Sequence, residues 1–160
     1  MLNVKKNYSS YLFTIMVFFF TLSACDTNNL FNQNEDVPEL WNKNHKINFS
    51  VDVKDTISPF NFYINMRNTT DYQYSNIYLF LETKFPNGMY AIDTVELFVA
   101  DVNGKWLGKG LGKNKDNQIL FRQRGRFPMK GTYVFSFEQA MKNEDLQGIN
   151  SIGISIEKTE

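Results

Sequence analysis

From Lys46 onward the chain alternates strictly between apolar and polar positions. Ile47, Phe49, Val51 and Val53 fall on one side, and Lys46, Asn48, Ser50, Asp52 and Lys54 on the other. A period of two marks a half-buried β-strand, because successive side chains of an extended backbone point to opposite faces. The pattern repeats after Ser58-Pro59, with Phe60, Phe62, Ile64 and Met66 against Asn61, Tyr63, Asn65 and Arg67. Asn68-Thr69-Thr70-Asp71 has turn composition. Residues 75–84 are apolar on both faces, Ile77, Leu79 and Leu81 against Tyr78 and Phe80, as expected of a central strand. Phe85-Pro86-Asn87-Gly88 then reverses the chain, with Pro86 presetting the bend and Gly88 tolerating positive φ. Residues 90–100 return as the hairpin partner.

Residues 101–116 form a long connection rich in glycine and lysine, the least regular part of the domain. Extended structure resumes over 118–124 and again over 131–137, and Ile152, Ile154 and Ile156 define a final strand. Between these, Glu138, Gln139, Ala140, Met141 and Lys142 are good helix formers, which predicts one short helix over 138–146, stopped by Gly148. About seven strands separated by turn signals predict an all-β, antiparallel β-sandwich of immunoglobulin-like or jelly-roll-like type. Gly131-x-Tyr133 ahead of a strand matches the tyrosine corner of immunoglobulin-like sandwiches.

The N-terminal part reads differently. Lys5 and Lys6 precede an apolar run over 11–22, which ends in Leu22-Ser23-Ala24-Cys25. Charged, hydrophobic and small-residue regions in that order form a signal peptide, and the run is too short for a transmembrane helix. Residues 1–24 are expected to be removed, leaving Cys25, the sole cysteine, as the lipidated N-terminus. Residues 25–45 are rich in Asn, with Glu35 and Asp36, and read as a tether that ends where Trp41 docks. The sandwich is expected over 46–160.

Composition narrows the function. Without Lys5 and Lys6 the chain carries 15 basic against 17 acidic residues, so no net positive charge favours nucleic acid. With Cys25 acylated, no thiol remains for a disulfide, and the lone His45, before the first strand, reads as solvated. No metal or cofactor site is expected. The chain has no Gly-x-Ser-x-Gly elbow, which leaves an envelope hydrolase of that kind without support. Glycines at 104, 108, 110 and 112 fit neither the P-loop nor the dinucleotide spacing. That segment is either a flexible connection or a partner-binding loop led by Trp106. Asp93 and Glu96 lie on opposite faces of one strand and do not converge. Arg122, Arg124 and Arg126 read as a solvated strand face. Tyr72, Tyr74 and Tyr78 with Trp106 raise carbohydrate binding as an alternative.

The ordered set Arg67-Asn68-Thr69-Thr70-Asp71-Tyr72, Tyr74-Ser75-Asn76-Ile77, Phe85-Pro86-x-Gly88, Gly104-Lys105-Trp106-Leu107-Gly108-Lys109-Gly110, Phe127-Pro128, Gly131-x-Tyr133 and Glu138-Gln139-Ala140-Met141, behind a lipidated cysteine, resembles the gliding motility lipoprotein family GldH. Gln73 stands where that family often has Pro. The resemblance implies an accessory lipoprotein of the cell envelope, held at the outer membrane. It also implies a link to the gliding apparatus and the type IX secretion machinery, with no catalytic residue. Within that frame Tyr72, Tyr74, Lys105 and Trp106 are the candidate protein contacts, being bulky or charged residues in irregular segments.

Overall fold

The computed structural model describes residues 29–159. The signal segment and Cys25 lie outside them. The described residues form ten strands, β1 (Asn29–Asp36), β2 (Trp41–Asn42), β3 (Ile47–Val53), β4 (Phe60–Thr69), β5 (Asn76–Lys84), β6 (Tyr90–Phe98), β7 (Asn114–Gly125), β8 (Gly131–Gln139), β9 (Asp145–Leu146) and β10 (Ile149–Lys158). They form two four-stranded antiparallel sheets, β1-β10-β4-β7 and β3-β8-β5-β6, and a small β2-β9 pair. The sheets pack face to face as the antiparallel sandwich the alternation predicts. Only β5-β6 is a hairpin between successive long strands; the other long connections cross from sheet to sheet.

The inward sets are those that alternation assigns. Ile47, Phe49, Val51 and Val53 from β3 are buried, as are Phe60, Phe62, Ile64 and Met66 from β4 and Ile152, Ile154 and Ile156 from β10. Aromatic rings pack edge to face through the core: Phe31 of β1 meets Phe49 of β3 across the layers at 6.5 Å, Phe49 lies 5.8 Å from Phe137 within its own sheet, and Phe127 lies 4.9 Å from Tyr133. Such offset packing is favoured over stacking by the ring quadrupoles. The hydroxyl of Tyr133 donates to the carbonyl oxygen of Met129 at 2.9 Å. This is the geometry of a tyrosine corner, reaching back four residues to fix the approach to β8.

Three expectations are corrected. The segment read as a tether is largely strand: β1 pairs along β10, from Asn29 opposite Glu157 to Asp36 opposite Ser151. Its one strong apolar signal, Phe31, packs against Phe49. The rest of the strand lies on a sheet edge, where polar residues face solvent. The sandwich therefore reaches back at least to Asn29, well before residue 46, and Trp41, fully buried, is part of its core.

No helix occupies 138–146. β8 continues through Gln139, whose buried side chain bonds the loop that follows: its amide donates to the carbonyl oxygens of Asn143 and Glu144, and its Oε1 accepts from the Met141 amide. These bonds hold the residues as a folded loop and override their helix propensity.

Arg122, Arg124 and Arg126 do not share a strand face. The register shifts near Phe62, Arg124 takes a φ of 51°, and β7 ends at Gly125.

Candidate functional site

The sandwich has two ends. Around one lie the start of β1 and the loops 54–59, 85–89 and 126–130; around the other lie the loops 37–46, 70–75, 99–113 and 140–148. The second end, called here the far end, gathers all four residues expected to contact a partner in the folded domain.

Its first element is the turn after β4. The Thr69 amide donates to the Gly148 carbonyl and the Thr70 amide to that of Lys113, both at 2.8 Å, so three loops are tied together. Tyr72 is buried beneath them, and its hydroxyl donates to the carbonyl oxygen of Asn76 at 2.9 Å. Burial pushes the Tyr72 phenol well above its usual range. Gly148 sits against the backbone of Tyr72 at a φ of 84°; a β-carbon there would come within 2.8 Å of Tyr72 Cα. Tyr74 lies half-buried, its ring 5.6 Å from that of Tyr72. The structure thus places Tyr72 in the core and leaves Tyr74 partly accessible.

The second element is the glycine- and lysine-rich connection, which is not the flexible loop its composition suggests. Asp101 Oδ1 accepts from the amides of Asn103 and Lys105, each at 2.9 Å, and closes a tight turn. Ala100 and Trp106 form a β-bridge, and Lys109 and Asp116 form another. The Ala100 amide also donates to Ser75, which docks the loop on the Tyr72 turn. Trp106 is half-buried against the core, so it anchors the loop. Lys105 is exposed beside it, while Val102 and Leu111 project fully into solvent. Gly108 allows the loop to lie on β7, since a β-carbon there would come within 2.8 Å of the Asn117 side chain. Asn117 is itself buried and donates to Asn68 Oδ1 at 2.8 Å.

The same loop walls an open cleft of about 940 Å³ on the outer face of the β1-β10-β4-β7 sheet. Its floor is made of outward residues from adjacent strands, among them Asn34, Asn65 and Gln118. Asn65 donates to Ser155 Oγ at 2.6 Å, and Ser155 donates to Asn32 Oδ1 at 3.0 Å. At one edge the Arg67 guanidinium is paired with Asp116 at 2.6 Å and lies near Asp36, which keeps its proton bound more tightly than usual. Leu107, Phe98 and Leu120 supply an apolar flank. The sequence does not disclose this cleft, because Asn32, Asn34 and Asp36 fall in a segment whose composition reads as a tether. Their alternation around Phe31 and Gln33 was the available signal.

Elsewhere, Lys46 is held between Glu138 at 2.8 Å and Glu82 at 3.3 Å, and these bonds raise its pKa. The Tyr78 phenol is likewise raised by its bond to Glu96. Among the described residues, no group of three or more His, Cys, Asp or Glu side chains is placed to hold a metal ion. No helix among them is long and apolar enough to cross a membrane.

In form the chain is an antiparallel β-sandwich with a loop-built end and a side-chain-lined cleft. The family model described as GldH lipoprotein matches residues 29–156. The chain belongs to the GldH lipoprotein family, whose members are anchored in the cell envelope by lipid. It is 35% identical to the gliding motility lipoprotein GldH homolog of Christiangramia forsetii, covering 92% of this chain and 97% of that protein. It is 27% identical to gliding motility lipoprotein GldH of Flavobacterium johnsoniae, covering 87% and 91%. Among solved structures, a family 16 carbohydrate-binding module-2 covers 79% of this chain and 85% of its own at 11% identity and a TM-score of 0.30.

Proposed function

We propose that this chain is an outer-membrane lipoprotein of the gliding apparatus, anchored through Cys25, and acts as a non-catalytic assembly or stabilising factor linked to type IX secretion. Family membership across the whole sandwich carries the reading. The far end supports it: Trp106 and Tyr72 rigidify loops on which Lys105, Tyr74, Val102 and Leu111 remain available to a protein partner. A fixed loop gives up little conformational entropy on binding. The test is photo-cross-linking from Lys105 and Leu111 in gliding cells that carry only this copy. Capture of one envelope protein of the gliding or secretion machinery from both positions is expected. Normal colony spreading after deletion of the gene, or equal capture from the opposite end of the sandwich, would overturn the proposal.

Carbohydrate binding is a second reading, and one observation favours it. The cleft floor presents amide groups, which both donate and accept, beside an apolar flank, and so matches hydroxyls and C–H faces of a sugar ring. Titration with neutral oligosaccharides, comparing the native chain with an Asn34→Ala, Gln118→Ala variant, tests it. No binding, or binding equal in both, would remove this reading.

A further inference from the structure

The composition of the chain hides an asymmetry that the topology creates. The near end comprises residues 52–60, 84–90, 122–131 and 157–159, and these carry seven basic side chains against three acidic ones. The far end, residues 36–47, 68–76, 98–116 and 139–150, carries seven of each. Lys54, Lys84, Arg122, Arg126 and Lys130 come from three separate stretches of sequence, and only the fold brings them to one surface. Apolar side chains stand among them. Ile57 is 84% exposed at the tip of a loop that Asp55 Oδ1 fixes by accepting from the amides of Ile57 and Ser58 at 2.9 and 3.0 Å. Met89 and Tyr90 project from the neighbouring hairpin. Held apolar tips surrounded by cations are the chemistry of a surface that sits at a bilayer interface.

A second, independent observation concerns chain length. β1 begins at Asn29, at this same end, four residues after Cys25. Whatever path they take, four residues span at most about 14 Å. Electrostatic attraction to a charged membrane is felt within a Debye length of about 10 Å at ordinary ionic strength. A lipidated Cys25 thus holds the near end in the zone where its charge acts.

We infer that the near end of the sandwich docks on an anionic phospholipid surface, with Ile57 and Met89 entering the interface and the basic side chains meeting headgroup phosphates. The inference rests on the lipidation of Cys25. Docking would turn the far-end loops and Trp106 away from the membrane and limit the tumbling of the domain on its anchor.

The experiment uses the full lipidated chain in vesicles of phosphatidylcholine alone or mixed with phosphatidylglycerol. One fluorophore is attached through Ile57→Cys and, in a second preparation, through Leu111→Cys, and quenching by spin-labelled lipid is read. Quenching at position 57 is expected in the mixed vesicles, severalfold stronger than in phosphatidylcholine and reversed by high salt, with none at position 111. Charge reversal of three exposed lysines, Lys54→Glu, Lys84→Glu and Lys130→Glu, should abolish that quenching while the protein still floats with the vesicles. A protein that floats with both vesicle types but is not quenched at position 57, or is quenched equally after charge reversal, overturns the docking alone. Failure to float with phosphatidylcholine vesicles overturns the lipidation, and with it this inference.

Discussion

Gln139 and Glu144 are joined through a buried side-chain amide, whose Nε2 donates to the Glu144 carbonyl oxygen at 3.1 Å. The same nitrogen donates to the Asn143 carbonyl at 3.0 Å, and Oε1 accepts from the Met141 amide at 2.8 Å. One residue thereby satisfies a whole loop of backbone groups. Replacing it by a side chain of similar size and no polarity, Gln139→Leu, strips their side-chain partner from the Met141 amide and the Asn143 carbonyl and leaves the Glu144 carbonyl only its bond from the Lys43 amide. Loss of about 2–3 kcal/mol is expected, read as a lower urea midpoint at unchanged slope.

The tyrosine corner predicts a smaller effect. Tyr133→Phe keeps the ring against Phe127 and removes only the hydroxyl, which donates to the Met129 carbonyl and accepts from the Met129 amide. Its cost should be about 1 kcal/mol. Tyr133→Leu, which also loses the aromatic contacts, should cost more than twice as much in the same denaturation assay.

At Gly148 both space and backbone are restricted. Gly148→Ala forces a residue with a β-carbon to a φ of 84° and presses it on the Tyr72 backbone. Destabilisation of about 1–3 kcal/mol is expected. Loss of the Tyr72 burial should also bring its phenol titration back toward the ordinary tyrosine range, followed by ultraviolet absorbance.

The roles of Trp106 and Leu111 should separate. Trp106 packs on the core, so Trp106→Ala lowers stability by about 1–3 kcal/mol. Leu111 is 99% exposed, so Leu111→Asp leaves the melting temperature unchanged. If the far end is the partner surface, Leu111→Asp still reduces capture in the cross-linking assay.

Asp55 supplies a pH signature. The Ser58 hydroxyl and the amides of Ser58 and Ile57 hold its carboxyl well below the usual value of 3.8. A folded-state pKa below the unfolded one stabilises the protein above the unfolded value, and that contribution is lost as pH falls through the folded one. Asp55→Asn should thus melt lower than the native chain at neutral pH. The gap should close progressively below pH 3.8, as the native carboxyl approaches protonation.

Strict alternation made most of the sandwich readable from sequence. β3, β4, β5, β8 and β10 have inward faces that are apolar almost without interruption, so periodicity alone assigns them. β1 escaped because an edge strand buries little: apart from Leu30 and Phe31 its side chains are exposed, and Asn-rich composition resembles a tether. Residues 138–146 misled in the opposite sense, because their local propensity is helical and the bonds that overrule it run from one buried glutamine. The fold gathers the four expected contact residues at one end, yet exposure divides them. Tyr72 and Trp106 proved to be anchors, and what remains accessible, Lys105 with Val102 and Leu111, is set by loop geometry that spacing does not encode. The cleft and the charged end were illegible for one shared reason: both are assembled from residues distant in sequence.

The pairing of β1 with β10 has a consequence for how the protein comes into being. β1 has one neighbour in its sheet, and that neighbour is the last of the described strands in chain order. β10 also separates β1 from β4, so the sheet cannot be completed from its N-terminal strands alone. Pairings between distant parts of a chain form slowly, since loop closure precedes any gain from contact. A chain exported from its N-terminus would remain open until β10 had crossed. The strand nearest Cys25 would then find its partner last, after the N-terminal end had already crossed.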